Sequence, residues 1–268
     1  MALPAPTPRS TCVVTGASSG IGVELARQLA ARGHGVTLVA RREDRVRELA
    51  RELAQAHGVR AEAIACDVGE PDQRRRLARE ISERGLTVEV LVNNAGFGSA
   101  GRFQSLDPER EAEIVRVNVE AVVALCGAYA PAMVARGRGA ILNLASVAAY
   151  QPLPRQATYA ASKAFVLSFT EALHADLHGT GVTAAALCPG PVKTEFFDVA
   201  DMEGGFDGVP EFVWLTPLET ARAGIEGLER GSRVVVPGAA NKAGALSGRL
   251  APRGLLLPLL RRGYPVGK

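Results

Sequence analysis

The chain has 268 residues, 47% of them hydrophobic, with 31 Lys and Arg against 28 Asp and Glu for a net charge of +3. That length suits one α/β domain with a full-sized core, and cations scattered without interleaved aromatics exclude a nucleic-acid-binding stripe. Four cysteines with no CxxC pair (Cys12, Cys66, Cys126, Cys188) exclude a disulfide framework and a thiolate zinc site, and fit reduced thiols in a cytoplasmic protein.

The proline-rich start, residues 1–9, is expected to be disordered and has neither the basic nor the apolar region of a secretory signal. CVVTGA (12–17) reads as a strand entering a glycine turn, and 20–32 as a helix with Ile21, Leu25 and Leu29 on one face. GVTLVA (35–40) is a second strand, 43–57 an arginine-rich amphipathic helix, and AEAIACDV (61–68) a third strand. Residues 71–84 form a helix opened by Pro71, in which Arg74, Arg75 and Arg76 read as a solvated face. VEVLVNNAG (88–96) is a fourth strand and 107–135 one long helix or two. AILNLAS (140–146) is a fifth strand, 157–178 a helix, VTAAALCPG (182–190) a sixth strand, 217–230 a helix and RVVVPG (233–238) a seventh strand. No run of 18 apolar residues occurs, so no transmembrane helix is expected.

Strands that are apolar throughout and separated by helices imply a parallel sheet covered on both faces. The expected class is α/β: a Rossmann-like, doubly wound, seven-stranded parallel sheet over 10–238, with ligands outside the carboxyl ends of its strands. Nearly every candidate functional residue falls at such an end or at the start of the next helix.

Tyr159 and Lys163, four residues apart in YAASK, share one helix face. A phenol is a poor acid at neutral pH, with a pKa of about 10. An ammonium beside it favours the phenolate and makes proton exchange with a substrate oxygen feasible. Upstream, TGASSGIG (15–22) follows a strand and opens a helix. Gly16, Gly20 and Gly22 allow a tight turn and a close approach of backbone N–H groups to a pyrophosphate, with Ser18 and Ser19 adding hydroxyls and Ile21 between the last two glycines. The spacing is G-x-x-x-G-x-G rather than G-x-G-x-x-G. At the end of the second strand, where an acid would take a ribose 2′-hydroxyl, stand Ala40, Arg41 and Arg42. Two guanidinium groups there favour a 2′-phosphate, hence NADP(H) over NAD(H).

TGASSGIG, CDV, NNAG, VNVEA, LAS, YAASK and PGPVKT occur in this order over about residues 10–238. In these motifs the chain closely resembles the short-chain dehydrogenase/reductase family, in its one-domain branch. The resemblance implies an NADP(H)-dependent oxidoreductase interconverting a carbonyl (ketone, aldehyde or 3-oxoacyl) and an alcohol. It places Asp67 and Val68 at the adenine, and Asn93, Ala95 and Gly96 at the adenosine ribose and central strand, with Asn94 a structural hydrogen-bonder. Asn118 matches the residue that kinks the long helix and holds a water beside the lysine. Ser146 matches the serine on the substrate carbonyl, thirteen residues before Tyr159, although a strand-end cap is its plain structural role. Tyr159 is then general acid or base. Lys163 lowers the tyrosine pKa and binds the nicotinamide ribose. Pro189, Gly190, Val192 and Thr194 line the nicotinamide. A catalytically idle cofactor-binding protein is one alternative. An isomerase or dehydratase of the extended branch fits the glycine spacing poorly.

The stretch 191–216 reads as a substrate lid carrying Phe196, Phe197, Met202, Phe206, Phe212 and Trp214. Phe97, Tyr150, Gln151 and Leu153, with Phe103, are candidate walls of a pocket for an apolar small-molecule substrate. His174 and His178 lack the glutamate of HExxH and a third ligand, so they read as surface residues, and no metal is expected. The extension 239–268 is expected to pack on the body or on a partner subunit. An anionic membrane surface is a further reading, in which the protein is a peripheral-membrane lipid-metabolism reductase, although Pro252 and Pro258 argue against one continuous interfacial helix. The resemblance also implies a homodimer or homotetramer through 107–135 and the YAASK helix, where Ala157, Ala160, Ala161 and Ala164 permit close contact.

Overall fold

The computed structural model describes residues 3–196 and 210–263. The strands are β1 (Ser10–Thr15), β2 (Val36–Ala40), β3 (Ala61–Ala65), β4 (Thr87–Asn93), β5 (Gly139–Leu144), β6 (Val182–Leu187) and β7 (Val234–Val235). They form one parallel sheet in the order β3-β2-β1-β4-β5-β6-β7. The chain lays down β1, β2 and β3 outward to one side, then returns to place β4 against β1. That reversal opens a crevice at the carboxyl ends of β1 and β4, where doubly wound sheets bind ligands.

Successive strand residues point to opposite faces, and both faces are apolar because both are covered. On one face Val14, Leu38, Val92, Leu142 and Leu187 pack beneath α1 (Gly20–Ala31), α2 (Glu43–His57) and α7 (Pro217–Glu229). On the other, Val13, Val39, Leu91, Ile141 and Ala184 pack beneath α3 (Pro71–Glu83), α5 (Ala121–Arg136) and α6 (Ala157–Asp176). The four cysteines are buried in this packing as free thiols.

The helix expected over 107–135 is continuous but interrupted by a π turn. It begins as α4 (Pro108–Val115), capped by the Asp107 carboxylate, which accepts from the Glu109 N–H (3.0 Å). It joins α5 through a π turn at Arg116–Glu120. One extra residue in the turn changes which side chains face inward, and it turns Asn118 into the core. By length and composition this helix, 108–136, contains an 18-residue window apolar enough to cross a membrane, with a mean hydropathy of 1.6. Asn118 and Glu120 interrupt its apolar run. Half of that window is buried, with Val122, Leu125 and Met133 against the sheet.

Four local expectations need correction. Arg74 is not solvated: it turns inward to the Val68 carbonyl (2.6 Å) and to Glu120 beside the π turn, while Arg75 stays exposed. His174 is half-buried, its Nδ1 2.7 Å from the Ala184 carbonyl, whereas His178 is exposed. The start of the chain is in place from Leu3, which packs on the core, and Thr7 and Ser10 exchange hydrogen bonds that close a turn. Every strand except β2, which ends at Ala40 as expected, also stops two or three residues earlier than expected, so NAG, AS and CPG belong to loops whose backbone groups leave the ladder.

Beyond β7 the chain forms α8 (Ala239–Leu250) and α9 (Arg253–Gly263). Helix α8 lies on the body. Its Asn241 donates to the Val213 carbonyl (3.1 Å), and Gly248 abuts Gln151, whose Oε1 would stand 2.9 Å from a Cβ there. Arg253 donates to the carbonyls of Tyr150 and Gly248 (each 3.3 Å).

Candidate active site

Loops from the carboxyl ends of β1, β2, β3, β4, β5 and β6 converge with the first turns of α6 on one cleft of 520 Å³. Its volume is in the range of small-molecule sites.

The glycine turn forms one wall. Gly16 and Gly20 have φ of +66° and +56°, a region that glycine enters without a Cβ penalty. A Cβ on Gly16 would stand 2.8 Å from Asn94 Nδ2. Gly22 does not line the cleft. It lets α1 press against the turn, since its Cβ would lie 2.3 Å from the Gly16 carbonyl oxygen and 2.5 Å from Asn94 Nδ2. Asn94 clamps the turn from the loop after β4: its N–H donates to Thr15 Oγ1 (3.0 Å) and its Nδ2 to the carbonyls of Thr15 (2.9 Å) and Gly16 (3.2 Å). Gly22→Ala therefore meets backbone on one side and a fully engaged amide on the other. It is expected to destabilise the fold by about 1–3 kcal/mol. Chemical denaturation measures this, and an unchanged midpoint would remove the packing argument.

At one end of the cleft stand Ser18, Ser19, Arg41, Arg42, Asp67 and Val68. Arg42 donates through Nε to Ser18 Oγ (3.1 Å) and through Nη2 to Ser19 Oγ (2.9 Å), tying the second strand's end to the glycine turn. Its Nη1 reaches Glu195 Oε2 (2.9 Å), and Arg45 holds the other oxygen of Glu195 (2.8 Å). These two hydrogen bonds hold the Glu195 carboxyl below its ordinary range. Arg41 is more exposed and lies 3.3 Å from Glu113 and 3.7 Å from Asp67. Hydroxyls and guanidinium groups around one point suit an anion more highly charged than a carboxylate. This donor set, beside a turn whose glycines a Cβ would fill, fits a phosphorylated dinucleotide.

Midway lie Ala95, Gly96, Pro189, Gly190, Val192 and Thr194. Gly190 is closed from behind by α8, where a Cβ would stand 2.1 Å from Asn241 Oδ1. Residues 191–196 and 210–215 are pinched together as the neck of the expected lid. Val192 bridges to Leu215, whose N–H donates to the Pro191 carbonyl (2.9 Å) while its own carbonyl accepts from Lys193 (3.1 Å).

At the other end Ser146, Tyr159 and Lys163 meet. Ser146 Oγ accepts from the Ala148 N–H (3.1 Å), capping the 3₁₀ turn Val147–Tyr150, donates to the Pro189 carbonyl (3.5 Å), and faces the Tyr159 side chain across the cleft wall. The cap and a place beside the tyrosine are thus compatible. Lys163 is buried; its Nζ donates to the Leu144 carbonyl (2.8 Å) and lies 5.8 Å from the Tyr159 ring centroid. Burial lowers the Lys163 ammonium to about 8 and pushes the Tyr159 phenol up to about 12, with the Ser146 hydroxyl opposing the rise. The lowering of the phenol expected from Lys163 does not govern it here. Desolvation does.

Asn118 stands behind the cleft. It exchanges hydrogen bonds with the backbone of Phe97 (3.0 and 3.2 Å), donates to Ser162 Oγ (3.0 Å), and has its Oδ1 3.0 Å from where a Gly96 Cβ would be. Asn93 is a core residue: its Nδ2 donates to Asn143 (2.8 Å), which donates to Thr170 (2.9 Å), pinning β4 and β5 to α6. The reading of Asn93 as a ribose contact is corrected by this burial; the neighbouring Asn94 lines the cleft.

Of the candidate substrate walls, Phe97, Gln151, Leu153 and Phe196 line the cleft. The Phe196 and Tyr159 rings stand 5.4 Å apart. Tyr150 does not line it: its hydroxyl turns towards Cys188 Sγ (3.9 Å) within the core. Trp214 sits in the lid's neck, and Phe103 and Phe212 are exposed, none of them on the cleft. Phe197, Met202 and Phe206 lie outside the described residues. Residues that sequence reasoning passed over include Glu195, Arg45, Gln156 and the Leu144 carbonyl. An acid directly after Thr194 was visible, but its pairing with Arg42 and Arg45 depends on a fold contact. Among the described residues no group of three or more His, Cys, Asp and Glu could hold a metal ion.

A family profile described as short chain dehydrogenase matches residues 10–203. A short chain dehydrogenase of Pseudocercospora fijiensis is 37% identical over 187 residues, 69% of this chain and 60% of that protein. An uncharacterized oxidoreductase of Myxococcus xanthus is 40% identical over 185 residues, 69% of this chain and 73% of that protein. Among solved structures, a short-chain dehydrogenase from Sphingobium yanoikuyae in complex with NADPH superposes with a TM-score of 0.79 at 32% identity, covering 96% of this chain and 98% of that one.

Proposed function

The chain belongs to the short chain dehydrogenase family, and from that premise we propose that it is an NADP(H)-dependent oxidoreductase interconverting an apolar carbonyl compound and its alcohol. The observation that carries this reading is the convergence of Ser146, Tyr159 and Lys163 in the cleft that also holds the Arg41–Arg42 end. A bound nicotinamide supplies or takes up the hydride. The residues of the chain handle everything else.

Ser146, on the cleft beside Tyr159, orients a substrate oxygen and stabilises the charge that develops on it. Tyr159, whose burial keeps it protonated at neutral pH, donates its proton to that oxygen in reduction and accepts one in oxidation. Lys163 is fixed by the Leu144 carbonyl with its Nζ 5.8 Å from the Tyr159 ring centroid, on the wall of the cleft. Asn118 holds the loop that carries Gly96 and Phe97. The neighbour that binds NADPH supports this cofactor, and Arg41 and Arg42 support NADP(H) over NAD(H) by charge. Phe97, Leu153 and Phe196 favour an apolar ketone, aldehyde or 3-oxoacyl chain over a sugar or an acid.

The test is a panel of ketones, aldehydes and acyl thioesters of graded chain length, followed by the absorbance of the reduced nicotinamide. Oxidation of NADPH that grows with substrate apolarity is expected. No turnover of any carbonyl, despite NADPH binding, would favour a cofactor-binding protein without this chemistry. Self-association is proposed through the outer face of α4, α5 and α6, where Val115, Val123, Val134 and Phe165 are exposed.

A further inference from the structure

We propose that α8 and α9 form a docking surface for an anionic lipid bilayer. The proposal starts from charge. Residues 239–268 contain six cations (Lys242, Arg249, Arg253, Arg261, Arg262 and Lys268), and the chain has no Asp or Glu after Glu229. With the whole chain at +3, the rest of the molecule is net negative. A terminal segment of one sign on a body of the other marks a surface for an anionic partner.

The two helices also sort their residues by face. On α8, Asn241, Ala245 and Gly248 are buried against the body, while Leu246 (58% exposed) and Leu250 (71%) stand one turn apart on the outside. On α9, Leu256 and Leu260 are half-buried, while Leu255 (74%) and Leu259 (65%) are outside, with Leu257 (43%) exposed on the far flank. The described cations Lys242, Arg249, Arg253 and Arg261 are all exposed. Residues four apart share a helix face, so each helix presents a leucine pair accompanied by cations. Pro252 divides them, giving two short apolar ridges in place of one long interfacial helix.

Charge also selects among occupants. Two-fold pairing with a second copy would oppose the same cations across an interface that brings no acid of its own. A nucleic acid would be met by leucines, and 239–263 contains no aromatic side chain on which bases stack. A bilayer with anionic headgroups takes both components: leucines at the acyl boundary and cations at the phosphates. Through Gly248 on Gln151 and Arg253 on the Tyr150 carbonyl, the surface adjoins the apolar end of the cleft. A carbonyl compound that partitions into lipid would then reach the cleft from the membrane side.

The test is cosedimentation of the full chain with phosphatidylcholine vesicles, with and without phosphatidylglycerol. Binding to the anionic vesicles, weakened by salt, is expected. Leu255→Glu with Leu259→Glu should weaken it by about tenfold or more, and so should Arg249→Gln with Arg261→Gln. Circular dichroism and the thermal midpoint check the fold of each variant. If the leucine pair fails to fold, the arginine pair gives the same reading. Equal binding to neutral and anionic vesicles, no binding to either, or binding indifferent to both variants would overturn the proposal. So would leucine variants that lower the oligomeric mass of a protein that never sediments with vesicles, since the surface would then belong to a second copy. The readout is sedimentation and does not depend on the cleft's chemistry.

Discussion

Tyr159→Phe lowers the turnover number for carbonyl reduction by about 10²–10⁴-fold, the usual worth of a positioned general acid, and leaves NADPH binding largely intact. The substitution deletes one oxygen. The ring keeps its place, 5.4 Å from Phe196 and against Gly98. What is lost is the hydroxyl beside Ser146 and the proton it would deliver. The sign of the pH dependence follows. Reduction uses the protonated phenol, so its rate falls as pH rises through the tyrosine pKa in the working complex, whereas oxidation rises over the same interval. Burial sets that phenol at about 12 and Lys163 at about 8 in this structure. Two buried groups whose burial disfavours their charged forms are sensitive to any further charge brought beside them. In Tyr159→Phe the alkaline limb should disappear along with the activity. Steady-state rates in both directions and a fluorescence titration with NADPH separate the cases. Equal losses of affinity and thermal stability would indicate damaged packing, and undiminished turnover would assign the proton to another group.

The sheet was legible because each strand is an apolar run of a few residues and each helix has its own period. Both signals are local and survive without knowledge of the fold. The candidate site was legible for a related reason: its residues cluster at strand ends, where backbone leaves the ladder and side chains meet solvent or ligand. What stayed hidden depends on contacts between distant segments. The π turn at Arg116–Glu120 has no local signature, and only the resemblance singled out Asn118 within it. Asn93 and Asn94 are indistinguishable by type. Asn93, the last residue of β4, points into the core against Asn143, and Asn94, the first of the loop that follows, turns to the glycine turn. Tyr150 looked like a pocket wall by position, but the 3₁₀ turn that Ser146 caps rotates it into the core. Arg74 reads as solvated within an arginine run, whereas Glu120 at the end of the π turn supplies a partner.

Replacing Arg41 and Arg42 together with alanine raises the KM for NADPH by about 10- to 100-fold, on the scale of losing one or two charge-assisted hydrogen bonds, and leaves that for NADH nearly unchanged. Arg42 is positioned for this difference by groups that do not depend on a cofactor: Ser18 and Ser19 hold its guanidinium across the glycine turn. Its third contact, with Glu195, is partly exposed, and exposed pairs of this kind contribute little, ~0–1 kcal/mol. A 2′-phosphate carries more charge and more acceptor oxygens than that carboxylate, so it would outcompete Glu195 for the same nitrogens. Glu195 is thereby a competitor as well as a partner. Glu195→Gln should shift NADPH affinity in the opposite direction from the arginine changes, tightening it by a few-fold, a fraction of a charged pair. Parallel KM measurements with both cofactors decide the matter. An arginine variant that weakens NADPH and NADH equally would show that Arg41 and Arg42 support the turn without reading the phosphate. A Glu195→Gln enzyme with weaker NADPH binding would instead make the carboxylate a support that orients Arg42 and Arg45 for the ligand.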